Sequence, residues 1–263
     1  MSHRPRKRFG QNFLESPSVL ARLVGAIAPR EDDRIVEIGP GLGALTGPLL
    51  ERAGRLDVVE LDRDLAASLA ERLGHPEGLV IHEADALEFD FRRLAGGGRI
   101  RVVGNLPYNI STPLLFHLLD QSDAIVDMHF MLQKEVVDRI CAEPGGKEWG
   151  RLGVMTRFRA RPERLFTVPP GAFRPPPKVD SAVVRLVPRR LDEAQRALLG
   201  PLEDVVRRAF SQRRKTLRNT LRGALDAPQI EACGIDPGRR AETLSLDEFL
   251  VLARRRAGSE ANP

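Results

Sequence analysis

The sequence predicts an α/β protein: a doubly wound, mostly parallel sheet with an antiparallel edge hairpin, followed by a small all-helical C-terminal domain. Three observations predict it. Short apolar strands alternate with amphipathic segments from residue 17 to residue 142. A glycine-rich turn, Gly39-Pro40-Gly41-Leu42-Gly43-Ala44, follows the first strand of that series. Beyond Pro188 the strand pattern stops and only helical segments separated by short turns remain.

The elements follow in order. Ser16-Pro17-Ser18 starts a helix that runs to Ala28, with Ser16 as N-cap and Pro17 at the first helical position. Residues 34–38 form a strand, and the helix after the glycine turn runs from Thr46 to Ala53. Strand 56–60, helix 65–73, strand 79–82 and strand 100–103 come next, then helix 113–119, strand 128–132 and helix 134–142. After Pro162 the rhythm changes: 164–168 and 181–186 are strand-like and bracket a proline-dense loop, 169–177, with no room for a helix. They are expected to pair antiparallel at the sheet edge. From Leu191 the chain reads as helices with turns at Gly223, Asp226-Ala227-Pro228 and Asp236-Pro237-Gly238. The expected domains are 1–188, whose first 15 residues form a basic arm, and 189–263.

A chain of 263 residues can bury one α/β core and still supply a small appendage. Hydrophobic content of 42% and charged content of 29% suit a globular protein, and no apolar run approaches the roughly 18 residues of a membrane span. The opening M-S-H-R-P-R-K-R-F-G has no apolar stretch of the signal-peptide kind. Cys141 and Cys233 stand far apart, without neighbouring histidines at ligand spacing. His3, His75, His82, His117 and His129 show no metal spacing either, and read as structural or surface residues. A reduced, cytoplasmic, metal-free protein away from membranes is expected.

Net charge is +5, but its distribution is uneven. Residues 31–90 carry 15 acidic and 5 basic side chains, whereas 151–190 carry 10 basic and 2 acidic, and the first 30 carry 6 basic and 1 acidic. That segregation points to a polyanionic partner, nucleic acid, met by the arm and by later segments; solvated charge on helix faces is the competing explanation.

The glycine turn with Glu60 some twenty residues on fits the adenosine-cofactor fingerprint, the acid serving the ribose hydroxyls. Pro40 removes an amide donor that a pyrophosphate would use, and Glu37 adds negative charge beside the turn. Both favour a cationic cofactor, S-adenosylmethionine, over a nicotinamide dinucleotide. Asp85, just past the third strand, falls at the cofactor edge, placed to accept the adenine amino group.

Asn105-Leu106-Pro107-Tyr108 lies at the end of the next strand. Pro107 pushes Leu106 towards an extended conformation, so the Leu106 carbonyl and the Asn105 side chain are presented together beside the only tyrosine. Two acceptors and an aromatic face suit a planar base with an exocyclic amino group; a strand-end turn with a core tyrosine is the plainer alternative. Val205 to Arg222 reads as a helix with Val206, Phe210, Leu217 and Leu221 on one face. Arg207, Arg214, Arg218 and Arg222 line the adjoining face, suited to RNA phosphates.

On these motifs the chain resembles the ribosomal RNA adenine N6,N6-dimethyltransferases, most of all the bacterial 16S branch. The motifs are Lys7 to Leu14, Glu37 to Gly43 with Leu45-Thr46, Asp85-Ala86-Leu87, Asn105 to Pro113, Gln133 to Val136, Phe173 to Ser181 and Arg213 to Arg218; the match spans Arg6 to Leu250. Trp149 departs from the tyrosine usual in the family, a conservative aromatic exchange. The resemblance implies a Rossmann-like methyltransferase sheet and transfer of methyl groups from S-adenosylmethionine to two adjacent adenosines near the 3′ end of 16S rRNA. It implies a monomer working on the immature small subunit. Asn12, Leu14, Gly39, Gly41, Glu60, Asp85 and Asn105 would then line the cofactor. Asn105, Leu106, Pro107 and Tyr108 would meet the base, with Phe173 closing its other face, and Arg6, Lys7 and Arg8 would order on cofactor or RNA. Competing readings are a related 23S rRNA adenine methyltransferase and a non-catalytic RNA-binding assembly factor.

Overall fold

The computed structural model describes residues 12–107 and 110–260, so Arg6, Lys7, Arg8 and Tyr108 lie outside the described residues. By compactness the chain divides into two units: residues 1–137 with 162–188, and residues 138–161 with 189–263. A division falls after Pro188, where the sequence places it, but 138–161 also cluster with the second unit.

The first unit opens with strand β1 (Phe13–Leu14) and helix α1 (Pro17–Ile27). The Ser16 side chain accepts a hydrogen bond from the Val19 N–H, the N-cap its sequence predicts. Then come β2 (Ile35–Ile38), α2 (Thr46–Ala53), β3 (Leu56–Glu60), α3 (Arg63–Arg72), β4 (Leu79–Glu83) and α4 (Phe91–Ala95). β5 (Ile100–Asn105), α5 (Ser111–Asp120), β6 (Ile125–Gln133) and α6 (Lys134–Cys141) follow. After α7 (Arg151–Arg159) the chain returns as β7 (Ala160–Val168), β8 (Phe173–Arg174) and β9 (Ser181–Pro188).

Seven of these strands form one sheet in the order β4-β3-β2-β5-β6-β9-β7. β2 pairs parallel with β3 and β5, as do β3 with β4 and β5 with β6, while β6 meets β9 antiparallel. The expected Rossmann-like sheet is therefore present, with β9 and β7 adjacent at its edge. Pro162, which cannot donate to a ladder, is accommodated because β7 is the outermost strand. Strand order reverses between β2 and β5, and in such sheets ligands bind outside the carboxyl ends at the reversal. Gly104 shows how tightly the two strands meet there: a Cβ on it would lie 2.6 Å from the Ile38 carbonyl oxygen. At the opposite end Arg101 bonds Asp127 (Nε to Oδ1, 2.9 Å), Asp33 (2.7 Å) and the Ile27 carbonyl (2.6 Å), fixing the end of α1 to the sheet.

The second unit holds α7, α8 (Glu193–Ala197), α9 (Leu199–Ala209), α10 (Leu217–Thr220), α11 (Ala227–Glu231) and α12 (Leu246–Glu260). α9 packs on α12, and Leu202, Val205, Val206, Phe249, Leu252 and Trp149 are buried, the Trp149 indole N–H donating to the Leu244 carbonyl at 2.9 Å. Two helices escape the sequence pattern. α4 is a single turn started by Asp90, and α7 buries Leu152, Gly153, Val154, Met155, Thr156 and Phe158 around its whole circumference, which erases amphipathic periodicity.

The helix expected over Val205–Arg222 is corrected. α9 ends at Ala209, residues 210–216 turn, and the chain re-enters a helix only at Leu217. The Ser211 hydroxyl bonds the Arg208 carbonyl at 2.7 Å, taking an acceptor from the last turn, and Leu217 is drawn instead onto the Arg239 carbonyl. No helix among the described residues is long and apolar enough to cross a membrane.

Candidate active site

The carboxyl ends of β2, β3 and β5 carry the chemistry. β2 stops at Ile38 because the chain turns through Gly39 (φ +66°), Gly41 (φ +56°) and Gly43 (φ +85°), a left-handed series that side chains rarely adopt. The Gly39 N–H donates to the Val59 carbonyl and the Gly41 N–H to Glu60 Oε2 at 3.3 Å. Glu60 also accepts from the Asp62 N–H at 2.9 Å, so one carboxylate ties the glycine turn to the start of α3. It is 7% exposed, and burial raises its pKa against these bonds from the main chain. Beside it the Ala84 N–H donates to the Glu60 carbonyl, bringing the Asp85 loop alongside; Asp85 Oδ1 accepts from the Leu87 N–H at 2.9 Å.

Glu37 lies beneath the turn, fully buried, accepting a 2.7 Å hydrogen bond from the Thr46 hydroxyl. Thr46 thus serves this carboxyl rather than capping α2, which has no side-chain cap. Burial pushes Glu37 up to about 7; the Thr46 bond opposes the rise and the charge of Glu60 adds to it. The folded chain therefore holds this proton more tightly than the unfolded one. Its contribution to stability is complete below about pH 4.5 and is lost as pH rises towards 7, about 3 kcal/mol in all. Glu37→Gln, measured by urea unfolding across that window, should remove most of the decline; an unchanged decline would place the titration elsewhere.

Asn105 is the last residue of β5, and beyond it the Leu106 N–H donates to the Met131 carbonyl at 3.2 Å. Leu106 is 2% exposed, Pro107 half-buried, and the Pro107 carbonyl accepts from Ile110 at the entry to α5. The Asn105 side-chain N–H donates to the Asn12 carbonyl at 3.0 Å. β1 carries Asn12 to this position, since Phe13 and Leu14 pair antiparallel with Arg174 and Phe173. The Phe13 ring closes on the glycine turn, where a Cβ on Gly41 would stand 3.0 Å from it. Phe173 is buried with Leu14, Phe166, Val168 and Ala172, so its ring is packed rather than presented as a free face.

The structure thus gathers Asn12, Leu14, Gly39, Gly41, Glu60, Asp85, Asn105 and Phe173 within the first unit. Arg207, Arg214, Arg218 and Arg222 belong to the second unit and are all exposed, but they stand on α9, a turn, α10 and the residues after it rather than on one helix. Arg207 pairs with Asp204. Two contributors went unread. Leu61, directly after Glu60, is half exposed at 50%, an apolar surface beside the carboxylate that its position after the acid could have signalled. The Thr46 hydroxyl is the other; its sequence signal was hidden by its place at a helix start.

Comparison with known proteins gives a consistent set of likenesses. A family model described as ribosomal RNA adenine dimethylase matches residues 2–257. A protein of Nitrosococcus oceani named ribosomal RNA small subunit methyltransferase A is 58% identical over 255 residues, 97% of each chain. One of the same name from Acinetobacter baylyi is 57% identical over 95% of this chain and 92% of its own. Among solved structures, a dimethyladenosine transferase of Plasmodium falciparum superposes with TM-score 0.78 at 25% identity, covering 91% of this chain and 95% of its own. A 23S rRNA methyltransferase superposes with TM-score 0.73 at 27% identity, covering 94% and 100%.

Proposed function

Because the chain belongs to the ribosomal RNA adenine dimethylase family, we propose that it transfers methyl groups from S-adenosylmethionine to N6 of two adjacent adenosines. The target is the loop of the 3′-terminal hairpin of 16S rRNA, in the small ribosomal subunit or its precursor. The observation that carries the chemistry is Asn105 at the carboxyl end of β5, across the strand reversal from the glycine turn. The relatives named for the small subunit are 57–58% identical, whereas the 23S rRNA enzyme is 27% identical, which favours the 16S branch.

The residues fit a cationic adenosine cofactor. Glu60 would hold the ribose hydroxyls, Asp85 the adenine amino group, and the exposed Leu61 would offer an apolar surface to the adenine ring. Gly39 leaves its backbone open to close approach, with no atom within 4 Å of where a Cβ would stand. Asn12 and Leu14 close the site from β1, and the carboxyls of Glu37 and Glu60 suit positive charge. Bound there, S-adenosylmethionine supplies an electrophilic methyl group on a sulfonium.

The target nitrogen is a weak nucleophile because its lone pair is delocalised into the adenine ring. The Asn105 side-chain oxygen and the Leu106 carbonyl accept its two N–H groups before the first transfer and its one remaining N–H before the second, favouring a pyramidal nitrogen and stabilising the positive charge that develops on it until the displaced proton passes to solvent. Alignment supplies much of the remainder. A stacked, paired base cannot enter such a site, so the adenosine is taken from a loop. Tyr108 holds one face of it. Phe173, 5% exposed and packed in the core beside β1, would close the second face. Arg207, Arg214, Arg218 and Arg222, with Arg6, Lys7 and Arg8 of the arm, meet phosphates and position the RNA. A non-catalytic assembly factor would need the arginines but not Asn105.

The test is methyl transfer to immature small subunits from a strain lacking the activity, followed by mass-spectrometric mapping. Two adjacent dimethyladenosines in the 3′ hairpin are expected; methyl groups on 23S rRNA alone would overturn the reading.

A further inference from the structure

Among the described residues, the head group of Asn105 has one hydrogen-bond partner. That partner is the main-chain carbonyl of Asn12, 3.0 Å away, and a carbonyl oxygen can only accept. The atom facing it is therefore the amide nitrogen, and the planar amide turns Oδ1 the other way. The segment bearing that carbonyl is firmly placed. Phe13 and Leu14 pair with Arg174 and Phe173, and the N–H groups of Glu15 and Ser16 both donate to the Ala172 carbonyl, at 2.9 and 3.2 Å. Leu14 is buried and the Phe13 ring rests against Gly41.

We propose that Asn12 is a positioning residue whose main-chain carbonyl holds the Asn105 amide with Oδ1 towards the target amino group, so that this site requires asparagine and rejects aspartate. The inference rests on the reading of Asn105 as the acceptor for N6. If acceptance were all that mattered, aspartate would serve as well, since it keeps Oδ1 and the shape of the side chain. It would, however, set a carboxylate oxygen against the Asn12 carbonyl with no proton between them. Among the described residues, the ionisable groups at the same end of the sheet include Glu37 on β2, Glu60 at the end of β3 with Asp62 and Arg63 after it, Glu83 and Asp85 at the end of β4 and beyond it, and Lys134 and Asp180 where β6 meets β9; position 105 pairs with Met131 on β6. Carboxyls outnumber the cations Arg63 and Lys134 there, and they disfavour a further carboxylate. A protonated aspartic acid is different: its O–H can donate to Asn12 while the other oxygen accepts from the base.

The experiment compares wild type, Asn105→Asp and Asn105→Ala in single-turnover methylation of immature small subunits, from about pH 6 to about pH 8. Relative to wild type, Asn105→Asp should be slower by about 10²-fold at the alkaline end and recover at least tenfold towards the acid end. A cooperative thermal transition and a wild-type circular-dichroism spectrum confirm that the variant is folded. In isotope-labelled wild type, a through-hydrogen-bond NMR coupling between the Asn105 side-chain nitrogen and the Asn12 carbonyl carbon should be present. An aspartate variant whose pH profile parallels wild type, or absence of that coupling, overturns the proposal. Retention of activity by Asn105→Ala would instead overturn the reading of Asn105 on which it rests.

Discussion

Replacing Asn105 with alanine should lower the rate of methyl transfer by about 10²–10³-fold, the loss expected when one preorganised group facing developing charge is removed. Two effects combine. The N6 amino group loses one of its two acceptors, and the Asn12 carbonyl loses the N–H it now receives at 3.0 Å. The second effect loosens the start of β1, so cofactor affinity should also fall, by about threefold to tenfold, a hydrogen bond's worth. RNA affinity should stay within about twofold, because the arginines proposed to meet phosphates, Arg207, Arg214, Arg218 and Arg222, are untouched. Single-turnover rates at saturating cofactor separate the terms. A rate within about fivefold of wild type would sink the mechanism while leaving the fold intact.

The sheet was legible because its signals are local. Strands β2, β3 and β5 are short, largely apolar runs buried almost throughout, each interrupted by a charged residue (Glu37, Asp57, Arg101), and the glycine turn after β2 declares its left-handed conformations by composition. The two acids were legible by spacing. Glu60 follows the turn at the distance that the strand–helix–strand crossover imposes, and the main chain places Asp85 next to it.

What stayed hidden is what depends on distant pairing. β1 and β8 are two residues each and their paired positions lie 159 and 161 residues apart, so neither run has the length to read as a strand, and only their pairing brings Asn12 to Asn105. Phe173, expected to close the second face of the base, is buried with Leu14, Phe166 and Val168, residues that its own stretch of sequence does not announce. The arginines of 205–222 show the converse: a helical period persists in the sequence across a turn that Ser211 closes on the nearby Arg208 carbonyl and that Leu217 fixes on the distant Arg239 carbonyl.

Glu60 should govern cofactor binding and little else. In Glu60→Ala the N–H groups of Gly41 and Asp62 lose their shared acceptor inside a site that is only 7% exposed. Each buried donor left without a partner costs about 1–3 kcal/mol, and the glycine turn loses its link to α3. The ribose hydroxyls lose a charged acceptor as well, a bond worth about 1.5–3 kcal/mol. The dissociation constant for S-adenosylmethionine, measured by calorimetry, should therefore rise by about 10–100-fold. The methyl-transfer rate at saturating cofactor should stay within about threefold of wild type, since the carboxylate stands at the end of β3 while the base is held at the end of β5, with β2 between. Glu60→Gln sharpens the test. Its amide can keep one main-chain N–H but turns a donor towards the other, so it should fall between wild type and alanine in affinity. Equal affinity of glutamine and wild type would show that the negative charge contributes nothing, and an unchanged affinity in the alanine variant would remove Glu60 from the site.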